Sequence, residues 1–368
     1  MRQALETYLR KIFGPSVRLI EFKRLGAGVH GAGFLVEIET EDGRRTYVLK
    51  DLSPEGLGHD YPSDRAAVFL LANETYGKLP RHIKAIDVIS MKEDGAMKSI
   101  GGGVDYFLLM EKAEGENYFN DLTEFSKKDS LYDRDIKKIK AMTSYLAEIH
   151  AVRKDSKTLY WRKLRDTIGH GECLMGVFDT YPDGILTYDE MAEIIKKSVD
   201  WNARLKPKYR RLSQIHGDFH PGNIWFNPPI PPLLKGGEGG LSTPNSELRT
   251  QIDFVLLDRS RGPWGDPADD VTALTINYIF FSIKHYASVR GPYLEGLRLF
   301  FERYITLTGD NEIYGIVAPF FAFRGAVVAN PVFYPELTLE QRRLIFRFVN
   351  NVLDDDKFKL EKLNDYLL

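Results

Sequence analysis

The sequence predicts an α+β protein in two parts, a β-rich N-terminal lobe and a larger, mainly helical C-terminal lobe. Two observations carry this expectation. Up to about residue 115 the apolar residues fall in short β-branched and aromatic runs broken by glycines, and from about 116 onward they recur at helical spacing. The length, 368 residues, is enough for two separate cores. The expected division is 1–113 and 114–368, joined near residues 110–115.

In chain order, "RLIEFKRLGAGVHGAGFLVEIETEDGRRTYVLKDL" (18–52) holds strand-like runs around a glycine cluster, with "EDG" as a hairpin turn before "TYVLKDL". Ser63 is a good N-cap for a helix through "DRAAVFLLANETY", which Gly77 and Pro80 would end. "HIKAIDVIS" and "VDYFLLMEKAEG" read as two more strands separated by "GAMKSIGGG", giving a sheet of about five strands. Beyond it, Ile136, Ile139, Thr143, Leu146 and His150 mark one face of a helix over 133–152. Thr187 caps a second helix with acidic residues in its first turn. Two short strands follow residue 226, and 266–368 read as mainly helical. The segment 227–251, "NPPIPPLLKGGEGGLSTPNSELRTQ" with its first residue, has no period and reads as a flexible surface insertion. Its "NPPIPPLLKGGEGG" resembles a translated bacterial repeat element.

Composition narrows the function. A formal net charge of −2 supplies no basic field for nucleic acid or an anionic membrane, so neither is expected as a partner. The one cysteine, Cys173, excludes an internal disulfide and a CxxC metal knuckle. The N-terminal "MRQALETYLRKIFG" is a charged amphipathic stretch without the features of a signal peptide, and the apolar run "LTINYIFFSI" (274–283) is about half a membrane span. These features point to a cytoplasmic protein, monomer or dimer.

The informative stretch is "IHGDFHPGNIWF" (215–226), with His216, Asp218, His220 and Asn223 between apolar flanks. A zinc site would need further ligands than two histidines, and no Cys or other His lies nearby in sequence. An Asp followed five residues later by an Asn can serve as base and Mg²⁺ ligand in phosphoryl transfer. Taken singly, each would be an ordinary turn residue bonding backbone N–H groups.

"HGDFHPGN" resembles the catalytic loop of the aminoglycoside phosphotransferase and choline kinase-like family, relatives of protein kinases. "FVLLDRSRGPWGDPADDVTAL" supplies the second Asp of that pattern, Asp258, and its "GDPADDV" is similar to the family's following segment. The resemblance implies a two-lobed protein-kinase-like fold. It implies Asp218 as the group that orients the acceptor hydroxyl and takes its proton, with Asn223 and Asp258 holding Mg²⁺. Asp270 matches the Asp that braces the catalytic loop, and Asp266 reads as a cap of the same helix. His216 and Gly217 would shape the loop, His220 would be a hydrogen-bonded structural residue, and His150 would pack near it.

In the N-terminal lobe Lys50, at the end of "TYVLK", resembles the family's phosphate lysine. The glycine cluster "LGAGVHGAG", with Gly26, Gly28 and Gly31, would cover the phosphates of ATP, although alone it is only a flexible hairpin. Two carboxylates compete to hold Lys50. Asp64 better matches the family position but sits where an acidic helix cap is expected, and Glu74 shares a stripe with Leu70 and Leu71. "FLLMEKAEG" resembles the family's hinge, in which Glu111 and Ala113 would pair with the adenine edge and Leu109 and Met110 would line its slot.

The resulting expectation is an ATP- and Mg²⁺-dependent kinase that phosphorylates a hydroxyl of a small molecule: an aminoglycoside, choline or another metabolite. The acidic run "VLDDDKF" (352–358) could contribute to a groove for a polycationic acceptor. A catalytically silent nucleotide-binding or scaffold module is the alternative, although Lys50, Asp218, Asn223 and Asp258 are all present. A protein kinase is less favoured, because only a few residues separate Asp258 from Asp266.

Overall fold

The computed structural model describes residues 1–28, 31–54, 59–75, 84–103, 115–169, 172–226, 252–258 and 261–368. The chain divides into two compact units, Met1–Met110 and Glu111–Leu368. The join between them, the hinge residues Met110, Glu111 and Ala113, and the segment 227–251 lie outside the described residues.

In the first unit a helix α1 (Arg2–Phe13) lies on an antiparallel sheet of β1 (Arg18–Gly28), β2 (Gly31–Thr40) and β3 (Gly43–Lys50), in that order. Leu5, Tyr8 and Leu9 fall on one face of α1 and are buried with Val17, Leu19, Val36 and Ile38 of the sheet. The "EDG" turn between β2 and β3 forms where expected, with Gly43 at a φ of 114° that a side chain would resist. Helix α2 (Pro62–Thr75) begins one residue before Ser63, and its cap is a carboxylate: the Tyr61 N–H donates to Asp64 Oδ2 at 2.7 Å.

Of the expected five-stranded sheet, the strand read over "VDYFLLMEKAEG" lies outside the described residues but for Gly115, and the described part differs in detail. Three strands form one sheet, and β4 (Ile89–Met91) pairs with β5 (Met97–Ser99) in a separate hairpin. Part of the stretch read as a glycine-rich separator is therefore a strand. Its turn closes through Gly95, at a φ of 81°, whose N–H donates to Lys92 O. The charged "KEDG" gave the turn, and the short "MKS" after it was too polar to announce itself as a strand.

The second unit is mainly helical: α3 (Tyr118–Phe125), α4 (Asp133–Ala151), α5 (Lys157–Ile168), α6 (Leu174–Phe178), α7 (Tyr188–Leu205), α8 (Ala268–Tyr286), α9 (Gly291–Thr308), α10 (Ala318–Val328) and α11 (Leu339–Asp354). The fold class is the one the sequence predicts, a β-rich first unit and a larger helical second one. Thr187 caps α7 in a reciprocal box with Glu190. The apolar run at 274–283 belongs to α8, which is buried from Ala268 to Ile283. No described helix is long and apolar enough to cross a membrane.

Two small ladders position the site. Strand β6 (Glu116–Asn117) pairs with β8 (Ile224–Phe226), which pairs with β9 (Phe254–Leu256); separately, β7 (Ser213–Gln214) pairs with β10 (Trp264–Gly265). Because β7 pairs with β10 and β8 with β9, the ends of the connection 215–223 lie next to Pro263 and Leu257.

Candidate active site

The loop 215–223 is tied to its neighbours residue by residue. Ile215 N–H donates to Pro263 O at 2.9 Å and Leu257 N–H to Asn223 O at 3.0 Å, joining it to the adjacent connection at both ends. Gly217 has a φ of 89°, and an added Cβ would meet Gly262 O at 3.2 Å, so glycine is required there. That conformation turns its N–H to Asp270 Oδ1 (2.7 Å) while its carbonyl accepts from Arg324 Nη2 (2.8 Å).

Asp270 is fully buried in the first turn of α8, where the helix N-terminus favours negative charge. It accepts the N–H groups of His216 and Gly217, each at 2.7 Å, and lies 3.1 Å from His150 Nε2. His150 Nδ1 is 2.8 Å from the Tyr304 hydroxyl, so the imidazole links the brace to α9. Asp266 has two partners besides its cap bond to Ala268 N–H: Arg211 in a two-nitrogen ion pair and the Tyr160 hydroxyl.

The two histidines of the motif serve the backbone. His216 Nδ1 accepts the Asp218 N–H at 3.2 Å and His220 Nδ1 accepts the Gly222 N–H at 3.1 Å. Burial holds the His220 imidazole below its usual range, against the attraction of Asp218, which keeps the accepting nitrogen unprotonated. Among the described residues there is no group of three or more His, Cys, Asp or Glu that could hold a metal.

Asp218 projects from this braced loop. Its Oδ1 accepts from Arg324 Nη1 at 2.5 Å and lies 3.7 Å from Arg261 Nε; its Oδ2 has only longer contacts, Asn223 Nδ2 at 3.4 Å and His220 Nε2 at 3.8 Å. Burial pushes the carboxyl up, but Arg324, His220 and Arg261 together outweigh it and hold it below the usual carboxylate range. The group is therefore an anion at neutral pH. Arg324 continues to Asp269 Oδ1 at 2.7 Å, and Asp269 Oδ2 meets Lys163 Nζ at 2.9 Å.

Asn223 directs its amide nitrogen to Asp218 O at 3.0 Å, and its Oδ1 has no hydrogen-bond partner among the described residues. Asp258 follows β9, one residue beyond the Leu257 that bonds to Asn223. It is exposed, has no hydrogen bond or ion pair among the described residues, and holds a φ of 54°, uncommon for a non-glycine residue. An amide oxygen and a carboxylate without internal partners are hard oxygen donors of the kind needed by a cation that takes few protein ligands.

In the first unit the ladder sets Lys50 opposite Gly33, which in turn faces Gly26; Gly28 pairs with Gly31 at the end of the same β1–β2 hairpin. Lys50 and the glycines thus share one end of the sheet. Lys50 and Glu74 are exposed, and no ion pair joins Lys50 to Asp64 or Glu74. The carboxylates of the acidic run near the C-terminus each meet a cation: Asp354 with Lys197, Asp355 with Lys359 and Asp356 with Arg204.

Sequence reasoning missed Arg324, Asp269 and Lys163. Arg324 did leave a signal: it is the one charge in the otherwise apolar "APFFAFRGAVV" of α10, and a charge in a buried run needs partners. Lys163 left none, because the charged sequence of α5 hides which of its cations faces inward.

No curated protein matched the chain by sequence. Among solved structures, the chain is similar to the amicoumacin kinase hAmiN in complex with AMP-PNP, Ca²⁺ and Ami, at 12% identity over 95% of this chain and 92% of that one, with a TM-score of 0.40. A glucosamine kinase is 14% identical over 99% and 96%, TM-score 0.37. An ethanolamine kinase of Plasmodium vivax is 12% identical over 95% and 80%, TM-score 0.31. Likenesses this distant transfer no substrate. The family model described as "Phosphotransferase enzyme family" matches residues 21–232, more than half of the chain, a span that takes in Lys50, Asp218 and Asn223 but ends before Asp258. The chain belongs to that phosphotransferase family.

Proposed function

We propose that the protein is an ATP- and Mg²⁺-dependent kinase that phosphorylates a hydroxyl group of a small molecule. The observation that supports this reading is the backbone hydrogen bond from Leu257 N–H to Asn223 O, which ties the residue before Asp258 to the loop that carries Asp218 and Asn223. When bound, ATP would supply the γ-phosphoryl group and Mg²⁺ would neutralise its oxygens. Asp218 orients the acceptor hydroxyl and takes its proton as the new O–P bond forms and ADP leaves. Asn223 Oδ1 and the Asp258 carboxylate would hold the cation. Lys50 would contribute positive charge to the α- and β-phosphates, and the backbone at Gly26, Gly28 and Gly31 would serve as the turn that covers them. Met110, Glu111 and Ala113, which lie outside the described residues, would be the residues that meet the adenine. Asp64 or Glu74 steadies Lys50.

Asp218 is well suited to this task because it is already ionised. In a loose phosphoryl-transfer transition state little proton transfer is needed early, so placement of the hydroxyl matters more than base strength.

The test is ATP consumption with Mg²⁺ against a panel of amino alcohols, amino sugars, aminoglycosides and other hydroxyl metabolites, with Asp218→Asn and Asp258→Ala as controls. Turnover with one acceptor, reduced at least about 100-fold in both variants, is the expected result. Tight Mg-ATP binding without turnover on any acceptor would favour a silent nucleotide-binding module instead.

A further inference from the structure

Buried arginines seldom add net stability, because removing a guanidinium from water costs about what its ion pairs return. Arg324 is such a residue: its side chain is 5% exposed, and its Nε is buried without a partner. The other two nitrogens are both engaged. Nη1 donates to Asp218 Oδ1, and Nη2 donates to Gly217 O and to Asp269 Oδ1. The planar fork thus reads the carboxylate of Asp218 and the carbonyl of the residue before it, from a helix more than a hundred residues downstream.

Resting on the kinase reading above, we propose that Arg324 is a positioning residue of the transfer site, one that fixes Asp218 by Oδ1 so that Oδ2 is presented to the acceptor hydroxyl. Three observations carry this. The short bond from Arg324 falls on Oδ1, and the second cation, Arg261, also approaches Oδ1. Oδ2 keeps only contacts of 3.4 and 3.8 Å, so it remains available for a donor from outside the protein. Arg324 itself is held from behind, since Asp269 is anchored by Lys163 at 2.9 Å and Phe323 lies under both Arg324 and Arg261, with ring centroids 4.7 and 4.8 Å from the guanidinium carbons.

A lysine keeps the charge but loses the fork, so it can meet one partner well and not the set. The division of labour on α8 follows from the same geometry. Asp270 takes the loop's N–H groups directly, and its neighbour Asp269 acts on the loop through Arg324. Neither residue nor Arg324 touches the substrate; they act by placing Asp218.

The experiment compares the wild type with Arg324→Lys on the acceptor found in the panel. The expected result is a folded variant with unchanged Mg-ATP affinity by calorimetry, an acceptor KM within about twofold, and kcat lower by about 10- to 100-fold, the usual cost of a misplaced reacting group. A kcat within twofold of wild type would overturn the proposal, as would a loss carried by KM alone. If Arg324→Lys does not fold, the charge-balanced Arg324→Gln/Asp269→Asn double variant is read by the same criteria. A second readout is independent of turnover: side-chain ¹⁵N NMR of arginine in the full chain. Resolved, slowly exchanging Nη signals of Arg324 that collapse in Asp218→Asn support the clamp, and averaged signals in the wild type refute it. If no acceptor is turned over by the wild type, the kinase reading fails, and the NMR measurement alone decides whether Arg324 clamps Asp218.

Discussion

The loop around Asp218 and the sheet end that carries Lys50 differ sharply in how their functional groups are held. At Gly217 both the N–H and the carbonyl have charged partners, and Asp218 is fixed by an arginine that is itself fixed. In the first unit Lys50 and Glu74 are exposed with no ion pair among the described residues, and Asp64 accepts the Tyr61 N–H. On the reading proposed above, the difference has a physical origin. A base must meet an uncharged hydroxyl at one angle, which demands preorganisation by the protein. A lysine for phosphates meets several negative oxygens, so its counter-charge comes with the ligand.

The largest effect should come from breaking the braced side. Asp270→Ala leaves two backbone N–H groups and a histidine nitrogen without their buried acceptor. At about 1–3 kcal/mol for each unmet donor, reduced by local relaxation, urea unfolding should show a loss of about 3–5 kcal/mol. Asp270→Asn retains one acceptor oxygen and should lose roughly half of that. A loss below about 1 kcal/mol for the alanine variant would mean the loop holds its own shape and the contrast with the sheet end is false.

The sheet end should respond in the opposite way, through function with little change in stability. Lys50→Met should leave the unfolding free energy within about 0.5 kcal/mol, because the side chain is exposed, while turnover falls about 100- to 1,000-fold. Asp64→Ala should cost about 1 kcal/mol through its lost helix cap. Its nucleotide affinity sharpens the comparison. Unchanged affinity would leave Glu74 as the partner of Lys50, whereas a tenfold loss would show that Asp64 exchanges its cap for the lysine when nucleotide binds.

How much of this was legible in the sequence follows the same division. Asp218, Asn223, Asp258 and Asp270 could be read because their spacing is local and their flanks are periodic: an apolar strand before each loop, and a helix start at "GDPADDV". The helices α4 and α7 were legible because Ile139, Leu146 and His150, or the Thr187 cap, fall on one period or one box. The β4–β5 hairpin was partly hidden because its strands are three residues long. Arg324 and Lys163 were hidden for another reason. Their importance lies in tertiary pairing with Asp218 and Asp269, and no local pattern encodes a contact across more than a hundred residues.

The smallest effect tests the segment between β8 and β9, the first of which directly follows the braced loop. Those two strands pair with Phe226 opposite Phe254, so the chain ends flanking residues 227–253 are already together. Their base is packed against the braced loop: Phe254 touches Phe226 and Tyr145, with ring centroids 5.4 and 5.6 Å apart, and Tyr145 stacks on Phe219 of that loop at 5.9 Å. If the aromatic base and the ladder alone hold the hairpin, replacing 228–250 with a short Asn-Gly-containing turn removes loop-closure entropy and no contact. For a roughly fourfold shorter loop, the logarithmic dependence of closure entropy gives a gain of about 1 kcal/mol. The shortened protein should therefore unfold at an equal or higher urea midpoint, with Mg-ATP affinity and acceptor kcat unchanged. A lower midpoint would show that the segment packs on the second unit, and an unchanged midpoint with altered acceptor KM would place it at the acceptor's entrance. Either result would extend the functional surface beyond the residues that the ladders bring together.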